Sequence, residues 1–464
     1  HRNANGSRIR ILRDARTQLI KVPAGTARSA VDKYRRNPNT ELADLNYTRL
    51  LFRPATTEGS EPTLGVTNNF TEQWGLNNTG QAFGASLDPL LGTLVYPTYQ
   101  GSSGADINAP EAWDITQGNA SVGIAVLDSG IACDHLDLAG KCIEEINYVI
   151  AQGSTLEDVL GHGTHVAGIA AATTDNGIGI AGVGWETSVG SLKTCWEDYS
   201  LALFVIVLGQ CDDADVIDAI VDATNSPNYQ VINMSFAGPD YSAVFESAVN
   251  DAWNSGMILV AGAGNSYSQQ LMYPAGYANV IAVGSTDYYD NLSGFSSFGA
   301  SWVSVLAPGT AVISTVPGEF CGQAAGVPSD CYDYKSGTSM STPHVAGVAA
   351  LLREAHPEWR PAAIRSALMT TARQDVAASA GLADANPFDF GAGHVVPNLA
   401  FEPGLVYDAS DDEYDAFSCG IASPAVAAER CAQLADAGFS FAAADLNQPS
   451  IAVSRLISSR TVTR

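Results

Sequence analysis

Three short segments put a hydroxyl, an imidazole and a carboxylate where they could act together on an acyl group. In Gly337-Thr338-Ser339-Met340-Ser341-Thr342-Pro343-His344-Val345-Ala346-Gly347, Ser339 falls on a tight glycine turn that opens a helix. Pro343 is expected in the first helical turn, which has no intrahelical use for its missing N–H. Ser339 is thus a candidate nucleophile at a point where unpaired backbone N–H groups converge, a setting suited to an oxyanion on a substrate carbonyl. Gly161-His162-Gly163-Thr164-His165-Val166-Ala167-Gly168 places His162 at the start of a small-residue helix, with flanking glycines that leave room for a substrate. His162 is the candidate general base. Asp128, in Asp128-Ser129-Gly130, is the candidate orienter: a carboxylate fixing the imidazole tautomer, an imidazole taking the serine proton and a serine attacking a carbonyl make an acyl-transfer triad.

The elements that must hold these residues are legible around them. Val122-Gly123-Ile124-Ala125-Val126-Leu127 is a short apolar run of the kind a fully buried strand shows, and it stops at Asp128. Val345, Val348, Leu351 and Leu352 give the helix after Ser339 a buried face. Singly, each residue has an ordinary reading: a serine capping a helix, an aspartate in a turn, a histidine packed in a core. His165 and His344 are read as packing residues, because the His162/His165 spacing lacks the glutamate and further ligands of a catalytic zinc site.

Taken together and in the order Asp, His, Ser, the segments resemble the subtilisin-like serine proteases, as does Ala261-Gly262-Ala263-Gly264-Asn265 between the second and third. The likeness runs from about Gln73 to about Ala400 and takes in Gln73-Trp74-Gly75-Leu76-Asn77-Asn78-Thr79-Gly80-Gln81, Asp106-Ile107-Asn108-Ala109-Pro110-Glu111-Ala112-Trp113, Val231-Ile232-Asn233-Met234-Ser235 and Tyr273-Pro274-Ala275. The resemblance implies an α/β fold with a parallel sheet and helices on both faces. It also implies that Asn265 and the Ser339 N–H donate to the oxyanion. Ser235, Phe236, Ala237 and Gly262 would line the substrate strand, and Met272 would floor the pocket for the side chain before the cleaved bond. A calcium site is implied at Asp137 and the loop Thr174-Asp175-Asn176-Gly177-Ile178-Gly179-Ile180. There Asn176 would give its side chain and Thr174, Ile178 and Ile180 their carbonyls, with Thr67, Asn68 or Asn69 as an N-terminal ligand.

Charge splits the 464-residue chain: residues 1–55 carry 12 Lys or Arg against 4 Asp or Glu, a net of +8, and the remainder nets −34. An acidic body argues against nucleic acid as a partner. The basic part reads as a strand over Leu19–Pro23, a helix over Ala27–Asn37 and a strand over Leu42–Leu51, and resembles the second half of the family's α+β propeptide. Residues 56–69 read as a linker with the maturation site, 70–402 as the catalytic domain and 403–445 as a C-terminal extension. Phe388-Asp389-Phe390-Gly391-Ala392-Gly393-His394 and Pro403-Gly404-Leu405-Val406-Tyr407-Asp408 are similar to the plant-type branch, in which 446–464 would be the first strand of a truncated fibronectin-III-like domain. The chain opens on His1, as a processed chain would, and any signal peptide is expected outside it. No apolar run approaches a membrane span; the longest, Leu201 to Leu208, suits a strand or buried loop.

Eight cysteines occur in close couples, Cys133 with Cys142, Cys195 with Cys211, Cys321 with Cys331 and Cys419 with Cys431. Eight cysteines permit about a hundred pairings, so nearest-neighbour bridges are a hypothesis from the short separations, with buried thiols as the alternative. Together these features predict a secreted, monomeric, disulfide-bonded serine endopeptidase made as a zymogen. It would act on proteins or peptides, with its own propeptide as inhibitor and folding aid. The alternatives are a non-catalytic binding protein on the same scaffold, or an esterase or peptide ligase with the same triad.

Overall fold

The computed structural model describes residues 6–14, 16–51, 69–84, 99–149, 153–198, 208–299, 302–318, 331–377, 389–420 and 426–442. The N-terminal segment forms an antiparallel hairpin of β1 (Ser7–Ile11) and β2 (Gln18–Lys21), then helix α1 (Ala27–Arg35) and the short strand β3 (Thr48–Leu51). Strand β1 is an addition to the expected strand, helix, strand order. The expected strand over Leu42–Leu51 is confined to its last four residues, because only these meet partner strands; Leu42 is 45% exposed.

After a small pair, β4 (Ala82–Phe83) with β5 (Tyr99–Gln100), and helix α2 (Ala109–Trp113), the body begins with β6 (Gly123–Asp128), β7 (Cys142–Asn147), α3 (Gly163–Ala171) and β8 (Ser188–Lys193). A hairpin of β9 (Cys195–Asp198) and β10 (Leu208–Asp212) precedes α4 (Asp213–Asn225), β11 (Tyr229–Met234), β12 (Phe236–Ala237) and α5 (Ala243–Asn254). Then come β13 (Ile258–Gly262), β14 (Ile281–Thr286), β15 (Val305–Pro308), the pair β16 (Val312–Val316) and β17 (Cys331–Lys335), and the long helix α6 (Thr338–Ala355). Helices α7 (Pro361–Thr370), α8 (Pro397–Ala400), α9 (Asp411–Gly420) and α10 (Ala428–Asp436) complete the described chain.

Seven strands form one parallel sheet in the order β15-β14-β13-β11-β6-β8-β7. Parallel strands joined by crossover helices are buried on both faces, which is why they read as continuous apolar runs. Alternate residues of β6 and β13 accordingly serve two cores. Ile124, Val126, Ile258 and Val260 pack with Val166, Ile169, Val345 and Leu351 of α3 and α6. Ala125, Leu127, Leu259 and Ala261 pack with Ile217, Ile220, Phe245 and Val249 of α4 and α5. Met234 of β11 lies opposite Leu127 of β6, so the carboxyl ends of these central neighbours, and whatever follows them, stand together.

The N-terminal segment docks on the α4/α5 face. Arg10 pairs with Asp215 at 2.5 Å, Arg13 with Asp222 and Arg16 with Asp251 at 2.9 Å. It also supplies the first N–H groups of both helices with acceptors. Ala214 N donates to Asn46 Oδ1 at 2.9 Å, Asp213 N to the Tyr47 carbonyl at 2.9 Å and Ala243 N to Asp44 Oδ2 at 2.7 Å. These donors have no intrahelical partners, so such contacts tie the segment to the body.

Bridges join Cys133 to Cys142, Cys195 to Cys211 and Cys419 to Cys431. The second links directly opposed residues of β9 and β10, and the third staples α9 to α10. Cys321, residues 52–68 with most of the expected linker, residues 201–207 and the expected terminal strand at 446–464 lie outside the described residues. No described helix is long and apolar enough to cross a membrane.

Candidate active site

Asp128 ends β6, His162 caps α3 and Ser339 lies in the first turn of α6, so all three sit at the carboxyl edge of the sheet. Each is at least 95% buried. His162 Nδ1 is 2.8 Å from Asp128 Oδ1, while the other ring nitrogen, Nε2, is buried with no hydrogen-bond partner. The carboxylate is held in turn: Ser129 N–H donates to Asp128 Oδ1 at 2.7 Å, and the Ser129 hydroxyl donates to Asp158 Oδ1 at 2.7 Å. Asp158 Oδ2 also accepts from the N–H and hydroxyl of Thr164, in the first turn of α3. Asp158 therefore ties the His162 helix to the loop after Asp128. Nothing in the sequence singled it out, because it stands in a loop with no motif of its own.

Ser339 is fixed by reciprocal bonds to the residue after β11. Its Oγ donates to the Ser235 carbonyl at 2.9 Å, and Ser235 Oγ donates to the Ser339 carbonyl at 3.0 Å. The second bond corrects the expected role of Pro343. With α6 starting at Thr338, Pro343 lies in the second turn, where its missing N–H deprives a carbonyl four residues back. That carbonyl belongs to Ser339, and Ser235 Oγ satisfies it. The proline thus frees a backbone acceptor that anchors Ser339 to the sheet.

Asn265 is oriented by Thr338, whose N–H and hydroxyl both donate to Asn265 Oδ1 at 2.9 Å. Its amide nitrogen is left to donate, and it stands beside Gly337. A Cβ added to Gly337 would lie 3.0 Å from Asn265 Nδ2 and 3.7 Å from Ser339 N, so the two donors expected to meet an oxyanion converge on one point. Gly262 closes β13 against Thr338 and Thr342, each 3.1 Å from where its Cβ would be.

Phe236 and Ala237 form β12, which stands apart from β10, and the channel between the two strands is filled by β3. Leu51 lies opposite Phe236 and Gly209, and Leu50 opposite Ala237 and Gln210, antiparallel on both sides. Met272 is buried beside this channel: the next residue, Tyr273, exchanges two hydrogen bonds with Gly238, at 2.7 and 2.9 Å.

His165 and His344 are fully buried. His165 Nε2 is 3.0 Å from the Asp333 carbonyl and His344 Nδ1 is 2.8 Å from the Met340 carbonyl. Burial pushes both imidazoles down, His344 to about 4.

Of the residues expected at a calcium site, Asn176 and Ile180 meet Asp137 directly. Asp137, fully buried, accepts from Asn176 Nδ2 at 2.7 Å on one oxygen, and from Ile180 N–H at 2.8 Å and the Tyr332 hydroxyl at 3.0 Å on the other. Thr174 Oγ1 faces the Ala172 carbonyl at 3.1 Å, and Ile178 N–H donates to Asn176 Oδ1 at 3.1 Å. Asn69 N–H donates to the Gly179 carbonyl at 2.6 Å, while Thr67 and Asn68 lie outside the described residues. Both Asp137 oxygens already accept from donors here, so the Asn176 side chain would join it in holding a hard cation only with its amide turned over to present the oxygen. Among the described residues no three His, Cys, Asp or Glu side chains cluster as metal ligands.

Comparison with known proteins places this geometry. The sequence model of the Subtilase family matches residues 119–393. The chain is 43% identical over 241 residues to a thermophilic serine proteinase of Bacillus sp. (strain AK1), covering 52% of this chain and 54% of that protein. It is 40% identical over 267 residues to thermitase of Thermoactinomyces vulgaris, covering 57% of this chain and 86% of thermitase. It is 37% identical over 267 residues to subtilisin BL of Lederbergia lenta, covering 57% and 88%. With its seven-stranded parallel sheet and helices on both faces, the chain belongs to the subtilase family and is a subtilisin-like serine endopeptidase.

Proposed function

We propose that Asp128, His162 and Ser339 cut peptide bonds through an acyl-enzyme, and that residues 1–55 are the remnant of a propeptide occupying the cleft. The 2.8 Å Asp128–His162 contact, with Nε2 buried and without a hydrogen-bond partner, carries the reading. Asp128 keeps the proton on Nδ1, so Nε2 is the basic nitrogen. Ser339 Oγ rotates from the Ser235 carbonyl to Nε2, gives up its proton and attacks the substrate carbonyl. Resting hydrogen bonds at such sites are commonly misaligned before substrate arrives. Asn265 Nδ2 and Ser339 N–H hold the oxyanion, His162 then protonates the leaving amine, and water repeats the sequence to release the acid.

Strand β3 in the channel, with the acceptors that residues 44–47 offer to α4 and α5, supports a propeptide that both inhibits and helps the body fold. Three disulfides suit a secreted protein. Calcium at Asp137 is part of the proposal: a cation bound only by the folded chain raises stability, so EDTA should lower the unfolding temperature, and Asp137→Ala should abolish that response. Fluorophosphonate labelling lost in Ser339→Ala tests the nucleophile, and turnover of casein against small esters tests the endopeptidase assignment. An unlabelled wild-type chain after removal of residues 1–55 would return the reading to a binding scaffold.

A further inference from the structure

Strand β3 is held as an extended peptide, and its side chains alternate: Thr48 and Leu50 are exposed, Arg49 and Leu51 buried. Leu51 is opposite Phe236. A peptide that kept this register for one residue more would come opposite Ser235, whose carbonyl holds Ser339 Oγ. A bound peptide presents at that step the carbonyl that Ser339 would attack, so the residue there is P1. Counting back, Arg49 is P4.

Arg49 has no exposed side-chain surface. Its Nε and Nη2 donate to Asp213 Oδ1 and Oδ2 at 2.6 and 2.8 Å, and Nη1 donates to the Asp240 carbonyl at 2.6 Å. The guanidinium lies 5.7 Å from the centre of the Phe245 ring, and a Cβ at Gly238 would come within 3.0 Å of Arg49 Cδ. Each of these groups belongs to the body rather than to the N-terminal segment, and they match the planar fork of a guanidinium rather than the point charge of an ammonium. Asp213 is itself 2% exposed, and burial pushes its carboxyl up to about 6 against the pull of Arg49. An uncharged P4 side chain would leave that carboxylate buried without a cation, which costs more than the pair itself contributes.

We propose that Asp213 is a specificity residue that makes this cleft select arginine at P4 in its substrates. The inference rests on the reading of the channel as a protease cleft; under it the chain carries a copy of its preferred sequence, Arg49-Leu50-Leu51-Phe52, of which Phe52 lies outside the described residues.

The test uses the full chain, expressed and left to process itself, with fluorogenic acetyl-Arg-Leu-Leu-Phe and acetyl-Ala-Leu-Leu-Phe peptides. The arginine peptide should have a kcat/KM about 30-fold or more above the alanine peptide, the loss expected on truncating a buried, hydrogen-bonded charge. Lysine should fall between them. Asp213→Asn should lower the Arg/Ala ratio by about 10-fold or more, and Asp213→Glu should retain part of it. A wild-type ratio near one overturns the proposal, as does an Asp213→Asn variant that slows both peptides equally. A second readout needs no catalysis: in the full-length Ser339→Ala chain, Arg49→Ala should speed amide exchange at Leu50 and Leu51, and Arg49→Lys should do so less. Unchanged exchange also overturns the pocket. Faster exchange in a chain that hydrolyses neither peptide would keep the pocket and sink the protease reading.

Discussion

The contacts of the basic segment with α4 and α5 predict that two of its arginines act on different rate constants. Arg10 is 30% exposed and faces Asp215 at 2.5 Å and Asp218 at 3.4 Å, whose side chains are 4% and 7% exposed. Arg16 and Asp251, 2.9 Å apart, are 70% and 63% exposed. Removing Arg10 takes a guanidinium away from two buried carboxylates under the docked segment, of which Asp218 keeps the Arg13 N–H at 2.7 Å. Truncating one partner of a buried charge pair acts on dissociation, and its cost corresponds to about 30-fold or more in koff. An exposed pair such as Arg16–Asp251 contributes so little to affinity that its loss should change koff less than about fivefold.

The association rate should follow total charge instead. A +8 segment meeting a −34 body is steered over long range. Raising salt from about 0.01 M to 1 M shortens the screening length from about 30 Å to 3 Å. A peptide of residues 1–55, added to the processed enzyme in stopped-flow inhibition, should therefore bind more slowly as salt rises while its koff changes little. Arg10→Ala should raise koff at every salt concentration. Arg16→Ala should lower kon at low salt only. Equal effects of the two substitutions on koff would refute the assignment of Arg10 as the buried anchor, and an on-rate indifferent to salt would refute steering.

Three further outcomes are expected. Ser339→Ala and His162→Ala should each lower kcat by about a million-fold without adding when combined, and Asn265→Ala by about 100- to 1,000-fold, magnitudes known from subtilisin itself; single-turnover kinetics that give additive losses would show that the residues do not act as a unit. Met272→Gly should favour cleavage after Phe or Tyr over cleavage after Ala or Leu, since a buried thioether beside the channel would give way to open volume; an unchanged P1 profile on a peptide library removes Met272 from the pocket. Burial holds His344 at about 4, below the ordinary value of about 6.5, so the unfolded chain binds its proton first and His344 contributes stability that is lost as pH falls from about 6.5 toward 4. His344→Gln should remove about 1.4 kcal/mol per pH unit from the slope of urea-unfolding free energy in that window; an unaltered slope would mean that His344 is not held neutral.

The three candidate residues of the proposed triad stood out in the sequence because they sit at forced positions. A buried parallel strand has to end somewhere, and β6 ends on Asp128. Small residues have to surround a histidine or serine that a peptide must reach, and Gly161, Gly163 and Gly337 are written into the chain beside them. The same local logic misplaced Pro343, since the expected helix start was judged from the motif rather than from Thr338, where Asn265 draws the first helical N–H. Its compensation by Ser235 joins residues 104 apart in the chain, a distance over which no periodicity operates.

The N-terminal segment shows the limit more sharply. β1 went unread because Ser7–Ile11 alternates apolar and basic residues of which only Arg10 is half-buried; it pairs along its backbone with β2, and Arg10 with the α4 carboxylates, rather than a core, ties it to the body. In the sequence Arg49 was one of 12 basic residues of a segment, with nothing to set it apart from the other eleven. Its burial depends on Asp213, 164 residues away, and on the opening between β10 and β12, which exists only once both have taken their places beside the sheet. The charge asymmetry thus contains two kinds of arginine. Arg13 and Arg16 meet carboxylates at the surface, where any cation would serve. Arg49 instead gives its fork to two oxygens of one buried carboxylate and to a backbone carbonyl, which is why the proposed pocket is expected to tell arginine from other cations.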